Sequence, residues 1–172
     1  MNRRTATALV SWILALWIVK VFVTSLPYKF SGHPDTQHIF STIGAWLGEL
    51  VDPALGALFS RHGAVVVGSF ELLTSLVLLA PALVWLLQRL GVEALPERSR
   101  WHAIGGAMAA LVMTGAVFFH LVSPLGVEVL HQGKPDGGAL FYAAVSIVVS
   151  GIILFILNWK PSPGRRAPHS AA

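Results

Sequence analysis

Two charged side chains lie inside long apolar stretches of this chain. Lys20 interrupts residues 6–26 and Glu71 interrupts residues 63–87. Because a lysine or a carboxylate at the centre of a membrane helix costs about 3 kcal/mol on insertion scales, each needs a partner or a purpose. At a rise of about 1.5 Å per residue, they lie roughly 9 Å and roughly 12 Å from the same end of their stretches. An ion pair between them is therefore one prediction. It would either hold the first and second helices together or set the pKa of a carboxylate that exchanges protons.

Further polar side chains stand at the same end of the apolar stretches, just after the first and at the junction of the third and fourth. A single residue of this kind is a weak signal, because a lone histidine at a helix end is usually an interfacial residue. Their convergence is the stronger observation, and it predicts a functional polar cluster at one end of a helix bundle. The predicted members are Glu71, His120, Lys29, Lys20, Tyr28 and Asp136.

Several specific chemistries are excluded or disfavoured. The chain contains no cysteine, so it has no disulfide, thiolate ligand or thiol relay of its own. A haem between helices needs histidines on facing helices, and three of the four apolar stretches contain none. The two histidines of HPDTQH, at residues 33–38, match no dependable ligand spacing, so no metal site is predicted. Phosphate-binding loops, nucleophile elbows and HExxH motifs are also absent from the sequence.

The composition indicates an integral membrane protein. Hydrophobic residues make up 55% of the 172 residues and charged residues 12%, about half of the charged share of a soluble domain. Residues 6–26, 63–87, 102–122 and 137–159 each meet the requirement of about 20 apolar residues for crossing a bilayer. Since backbone amides in hydrocarbon must bond internally, we predict an all-α, four-helix membrane bundle. The membrane domain covers residues 1–160, and 161–172 are expected to form a disordered cytoplasmic tail.

The basic residues predict the orientation of the bundle. They are concentrated at one end of the four stretches, and such residues favour the cytoplasmic side. Both termini are therefore predicted to be cytoplasmic. The same placement at segment ends argues against a nucleic-acid partner, despite the net charge of +4. The basic residues at the predicted cytoplasmic end are Arg3, Arg4, Arg89, Arg98, Arg100, Lys160, Arg165 and Arg166; those at the other end are Lys29, Arg61 and Lys134.

The outer loop, residues 27–62, is predicted to contain one or two short interfacial helices, because apolar residues recur in it at helical spacing. Asp35 is expected to cap the first helix and Asp52-Pro53 to begin the second. The chain should leave the membrane at Pro27, turn at Ser31-Gly32 and return as a helix that roofs a polar pocket. A plain interfacial anchor is the alternative.

Three stretches combine a characteristic order and spacing: LPYKFSGHPDTQHIFSTIG, GSFELLTSLVLLAP and FFHLVSPLGVEVLHQGKPDGGALFYAAVSIVVSG. Together they resemble the DoxX-like family of small four-span bacterial membrane proteins. The resemblance implies a place in the bacterial inner membrane and places the family's recurring polar residues on Lys29, Glu71, His120 and Asp136. It also implies an association with thiosulfate oxidation, quinone reduction or redox-stress assemblies. Because the chain lacks cysteine, any thiol-dependent step would lie on a partner.

Three functional hypotheses follow. The first is an accessory or scaffold subunit, surrounded by membrane lipid, which docks a protein partner or a second copy of itself. The second is a quinone-interacting redox subunit, in which Glu71 and His120 exchange protons with the quinone head group while Tyr28 or Lys29 hydrogen-bonds its oxygen. The third is a small transporter, which four spans could form only as a homo-oligomer.

Overall fold

The computed structural model describes residues 2–91, 96–131 and 133–159. The predicted tail at residues 161–172 lies outside this part of the chain. A β-hairpin of two antiparallel strands with two residues each, β1 (Leu130–His131) and β2 (Lys134–Pro135), lies between the last two helices. The helices of the described residues are α1 (Arg3–Phe30), α2 (Pro34–Leu50), α3 (Pro53–Arg89), α4 (Arg98–Val122) and α5 (Ala139–Asn158).

Four of these helices, α1, α3, α4 and α5, are long and apolar enough to cross a membrane. They form a closed ring in which α1 contacts α3 and α5, α4 contacts the same two helices, and α1 and α4 face each other diagonally. Ile18, Leu78, Ile147 and Leu154 are fully buried at the centre, whereas large apolar side chains cover the outer surface. The predicted all-α, four-helix membrane bundle is confirmed.

Glycines set the closest approach within the ring. A side chain at Gly106 of α4 would place its Cβ 2.7 Å from the carbonyl oxygen of Gly151 on α5, and one at Gly105 would run into Leu78 of α3. The backbones of α4 and α5 can therefore touch, which strengthens dispersion contacts where no water is present to drive association.

The boundary predictions for the first loop are partly wrong. The outer loop was predicted to begin at residue 27, but α1 continues through Pro27 to Phe30, with the Ser31 amide donating to the Pro27 carbonyl. The turn at Ser31-Gly32 is present, and Gly32 supplies the positive φ of 67° that it requires. α2 begins at Pro34 with His33 as its N-cap, so Asp35 lies in the first turn and is not the cap.

The second predicted loop helix is not a separate element. Asp52 caps a helix as expected, accepting hydrogen bonds from the amides of Ala54 and Leu55 at 2.9 and 3.0 Å, but that helix runs on unbroken to Arg89. With 37 residues, α3 is about 55 Å long, well beyond a hydrocarbon core of about 30 Å.

The part of α3 that extends beyond the four-helix ring packs against α2. Lys29 and Phe30, at the end of α1, lie opposite Gly68, so residues 53–67 run beyond α1. There α2 packs antiparallel to α3, with Gly44 and Gly48 directly against Gly56. This α2–α3 hairpin brings the apolar face of α2 over one end of the four-helix ring.

Candidate functional site

The centre of the candidate site is a buried ion pair between α1 and α3. Lys29 Nζ lies 3.0 Å from Glu71 Oε2, and the two side chains are 15% and 3% exposed. Ser25, one turn before Lys29, donates its hydroxyl to the same carboxylate oxygen at 2.8 Å and accepts from Lys29 Nζ at 2.9 Å. The three groups therefore form a closed triangle in which the carboxylate has both a counter-charge and a hydrogen-bond donor.

Lys20 does not take part in this pair. Its side chain is exposed on another face of α1, where Nζ lies 5.3 Å from the centroid of the Trp17 ring. The contact is a cation–π interaction on the outer surface. The partner of Glu71 is thus Lys29, one of the two lysines that the sequence left open.

The ion pair lies in the wall of a cavity of about 570 Å³, which we call the ion-pair cavity. All five helices and the α4–α5 connection contribute to its walls. Most of the lining is apolar, including Phe22, Ile39, Phe40, Phe59 and Met113. A largely apolar cavity of this size with a few convergent polar groups has the usual form of a small-molecule site.

The hydrogen bond that His120 makes defines the tautomer of its neutral ring. Its Nδ1 lies 2.6 Å from the Gly126 carbonyl oxygen. Because a carbonyl oxygen can only accept, Nδ1 carries the proton, and Nε2 of the neutral ring is an acceptor. The ring is 8% exposed and packs edge-on against Phe141. His120 lines the ion-pair cavity together with Lys29 and Glu71, as the predicted cluster required.

On the exposed side of the cavity, a contact between two side chains joins α2 to the β-hairpin. His131 Nδ1 on β1 lies 3.0 Å from Asp35 Oδ2 on α2, and the Tyr28 ring packs against His33 and His131 with centroids 4.8 and 6.0 Å apart. Side-chain exposure rises from 3% at Glu71 to 17% at Asp35 and 47% at His131. These groups form the rim of the cavity, with the ion pair at depth.

Asp136 lies outside the cavity and organises the loop that closes it. Its carboxylate accepts hydrogen bonds from the amides of Val129, Gly138 and Leu140 at 2.9 to 3.0 Å. Burial by itself raises the pKa of Asp136, but the three amide donors and the nearby His120 outweigh it, so the pKa is lowered overall. Asp136 therefore fixes the β-hairpin and the start of α5, and it is not among the described residues that line the ion-pair cavity.

The sequence reasoning missed two contributors to the site. Ser25 lies four residues before Lys29 on the face that also carries Phe22, and helical spacing alone could have drawn attention to it. The contact between His131 and Asp35 joins residues far apart in the chain, and no local pattern signals it. Among the described residues, no group of three or more histidine, aspartate or glutamate side chains is placed to hold a metal ion.

The fold and the cavity together define a multi-pass membrane protein with a polar-centred, apolar-walled cavity near one end of its bundle. No family model, curated protein or solved structure matches the chain. The cavity and its residues are thus the basis for any statement about function.

Proposed function

We propose that this protein binds a neutral, lipid-soluble molecule with a carbonyl or hydroxyl head group, of the quinone class, in the ion-pair cavity. The observation that carries the proposal is the cavity itself: Lys29, Glu71 and Ser25 lie in a wall that is otherwise mainly apolar. An apolar lining retains a lipid-soluble body, and the few polar groups fix the head.

The charge of the site favours a neutral head over an ionic one. Lys29 and Glu71 cancel each other at 3.0 Å, so the deep part of the cavity has no net charge to attract an anion or a cation. Hydrogen-bonding capacity remains: Glu71 and Ser25 use two of the three N–H donors of Lys29, which leaves one, and Nε2 of neutral His120 can accept from a hydroxyl. A head that changes between carbonyl and hydroxyl forms suits this combination.

Within this proposal, Glu71 and His120 are the groups that would pass protons when the head group is reduced or oxidised. Electrons would come from a partner protein, which makes the chain an accessory subunit of a membrane redox assembly. We propose with it that the chain is a DoxX-like protein of the bacterial inner membrane with both termini cytoplasmic, as its sequence predicts. A conduit through one copy is disfavoured, because Ile18, Leu78 and Leu154 fill the centre of the ring with apolar side chains.

A simple accessory function has its own supporting observation. The tip of the α2–α3 hairpin exposes Leu50, Val51, Leu55 and Leu58, each by more than 40%, and α3 is too long for the hydrocarbon core alone. An apolar surface of this kind is typical of a protein contact. If Leu58→Ala abolishes co-purification of a specific partner while Leu111→Ala, on the exposed outer side of α4, does not, the docking function stands.

The test of the binding proposal is organic extraction of the protein purified in mild detergent, followed by mass spectrometry for quinones. We expect near-stoichiometric quinone with the wild-type chain. Gly115→Leu is the sharpest variant, because a Cβ at this cavity-lining glycine meets no heavy atom within 4 Å, so a larger side chain here can occupy part of the cavity without a backbone clash. It should lose the quinone while remaining folded, and Lys20→Gln should retain it. Equal amounts of quinone in all three proteins would refute the proposal.

A further inference from the structure

A second cavity lies at the opposite end of the bundle, and its lining is rich in polar and basic side chains. It is an open cavity of about 1310 Å³, and it lies between the N-termini of α1 and α4 and the C-terminal parts of α3 and α5. Among the described residues, three arginines line it, Arg3 and Arg4 from α1 and Arg98 from α4, together with one acidic residue, Glu97. We call it the arginine cavity.

Arg98 is held in place by neutral groups. Its Nη1 donates to Asn158 Oδ1 at 3.4 Å and lies 3.1 Å from His102 Nδ1. Asn158 is 3% exposed and is anchored in turn, donating from Nδ2 to Ser11 Oγ at 2.8 Å and to the Leu154 carbonyl at 2.9 Å. These contacts orient the guanidinium without neutralising it, and the side chain has further N–H donors.

The positive potential of this cavity comes from its arginines and not from the helix termini. The N-termini of α1 and α4 and the C-termini of α3 and α5 all lie at this end, so their partial charges oppose one another. Glu97 offsets one positive charge, and its carboxylate already accepts a hydrogen bond from Ser99 Oγ at 3.2 Å. The lining therefore has an excess of arginine over acid, with one arginine held from behind by a buried amide.

We propose that the arginine cavity binds a phosphate group, carried either by an anionic lipid of the adjacent leaflet or by a soluble phosphorylated compound. Arginine forks match phosphate oxygens in geometry and charge. Trp12, Trp85 and Leu157 lie in the same lining and offer an apolar surface beside the arginines. Basic pockets between membrane helices bind anionic lipid head groups in this way. The site is independent of the ion-pair cavity and of the function proposed for it.

The test uses the full chain in dodecyl maltoside. Phosphatidylglycerol binding is measured by native mass spectrometry, and inorganic phosphate binding by calorimetry in the same detergent. The variants are Arg98→Gln and the double substitution Arg3→Gln/Arg4→Gln. Arg100→Gln is the matched control, because Arg100 is exposed on the same helix turn as Arg98 but does not line the cavity.

We expect saturable binding that weakens about fivefold for each arginine removed from the cavity and less than twofold for Arg100→Gln. If phosphatidylglycerol binds in this way and inorganic phosphate does not, the source is the lipid. If inorganic phosphate binds and depends on the same arginines, the source is a soluble compound. Binding that is unsaturable, or that falls equally in Arg100→Gln, would reflect diffuse surface charge and would overturn the proposal. The Arg3/Arg4 variant keeps the test valid even if Arg98→Gln does not fold.

Discussion

The ion pair between Lys29 and Glu71 should be strongly coupled, and its two members should respond unequally to substitution. At 3.0 Å, Coulomb attraction at an effective dielectric constant of about 20 amounts to about 5 kcal/mol. Desolvation of both groups offsets part of this, so a coupling free energy of about 2–4 kcal/mol is expected.

Lys29→Met should be the more damaging single change. It leaves the Glu71 carboxylate, 3% exposed, without its counter-charge, and breaking a buried pair from one side costs about 3–5 kcal/mol. Glu71→Gln leaves Lys29, which is 15% exposed and close to the end of α1. The lysine can extend toward water, so a smaller cost of about 1–3 kcal/mol is expected.

The assay is a double-mutant cycle with unfolding by dodecyl sulfate in mixed micelles, followed by tryptophan fluorescence. The double variant Lys29→Met/Glu71→Gln should be more stable than the sum of the single changes predicts, by the coupling free energy given above. Lys20→Met is the control and should not destabilise the bundle, because the Lys20 side chain lies on the outer surface of α1, where it contacts the Trp17 ring. If the two single effects add to within about 0.5 kcal/mol, the ion pair contributes nothing and the reasoning is refuted.

Three further predictions concern packing, the loop and the ligand. Gly106→Val should destabilise the bundle by about 1–3 kcal/mol or more in the same unfolding assay, because its Cβ would meet the Gly151 carbonyl oxygen; Gly115→Val should not. Asp136→Asn should cost about 1–2 kcal/mol at pH 7. Since the pKa of Asp136 is lowered in the fold, that difference should be present above about pH 4 and disappear as the pH falls through the lowered pKa. Tyr28→Phe should weaken quinone binding, measured by titration, severalfold or less, because Tyr28 lies at the rim.

Hydropathy was sufficient to predict the four-helix bundle. Each apolar stretch lies in one long helix, because a helix satisfies all backbone hydrogen bonds within the segment when hydrocarbon surrounds it. It was insufficient at Pro27, where the outer loop was predicted to begin. The helix continues for three residues beyond this proline, long enough for Lys29 to reach Glu71. A proline in a helix removes one hydrogen bond, and tertiary contacts can outweigh that loss.

The candidate site was predicted in part. Glu71, His120, Lys29 and Tyr28 do line one cavity, whereas Lys20 does not, because it lies on another face of α1. The depth of Lys20 within the first apolar stretch suggested it as the partner of Glu71, but depth does not indicate the direction in which a side chain points. The helical spacing of Phe22, Ser25 and Lys29 does indicate it, because it places all three on one face of α1. Residues such as Asp35 and His131 meet only through the tertiary fold.

The most direct test of the central claim is photolabelling with an azido-quinone in neutral nanodiscs, followed by peptide mapping of the labelled positions. The ion-pair cavity predicts that labels concentrate on residues lining it, such as Met113 and Phe40. It also predicts that excess unlabelled quinone prevents the labelling and that Gly115→Leu abolishes it. Labels spread over the exposed apolar surface, for example at Leu111 or Ile156, and unaffected by competitor would contradict the account.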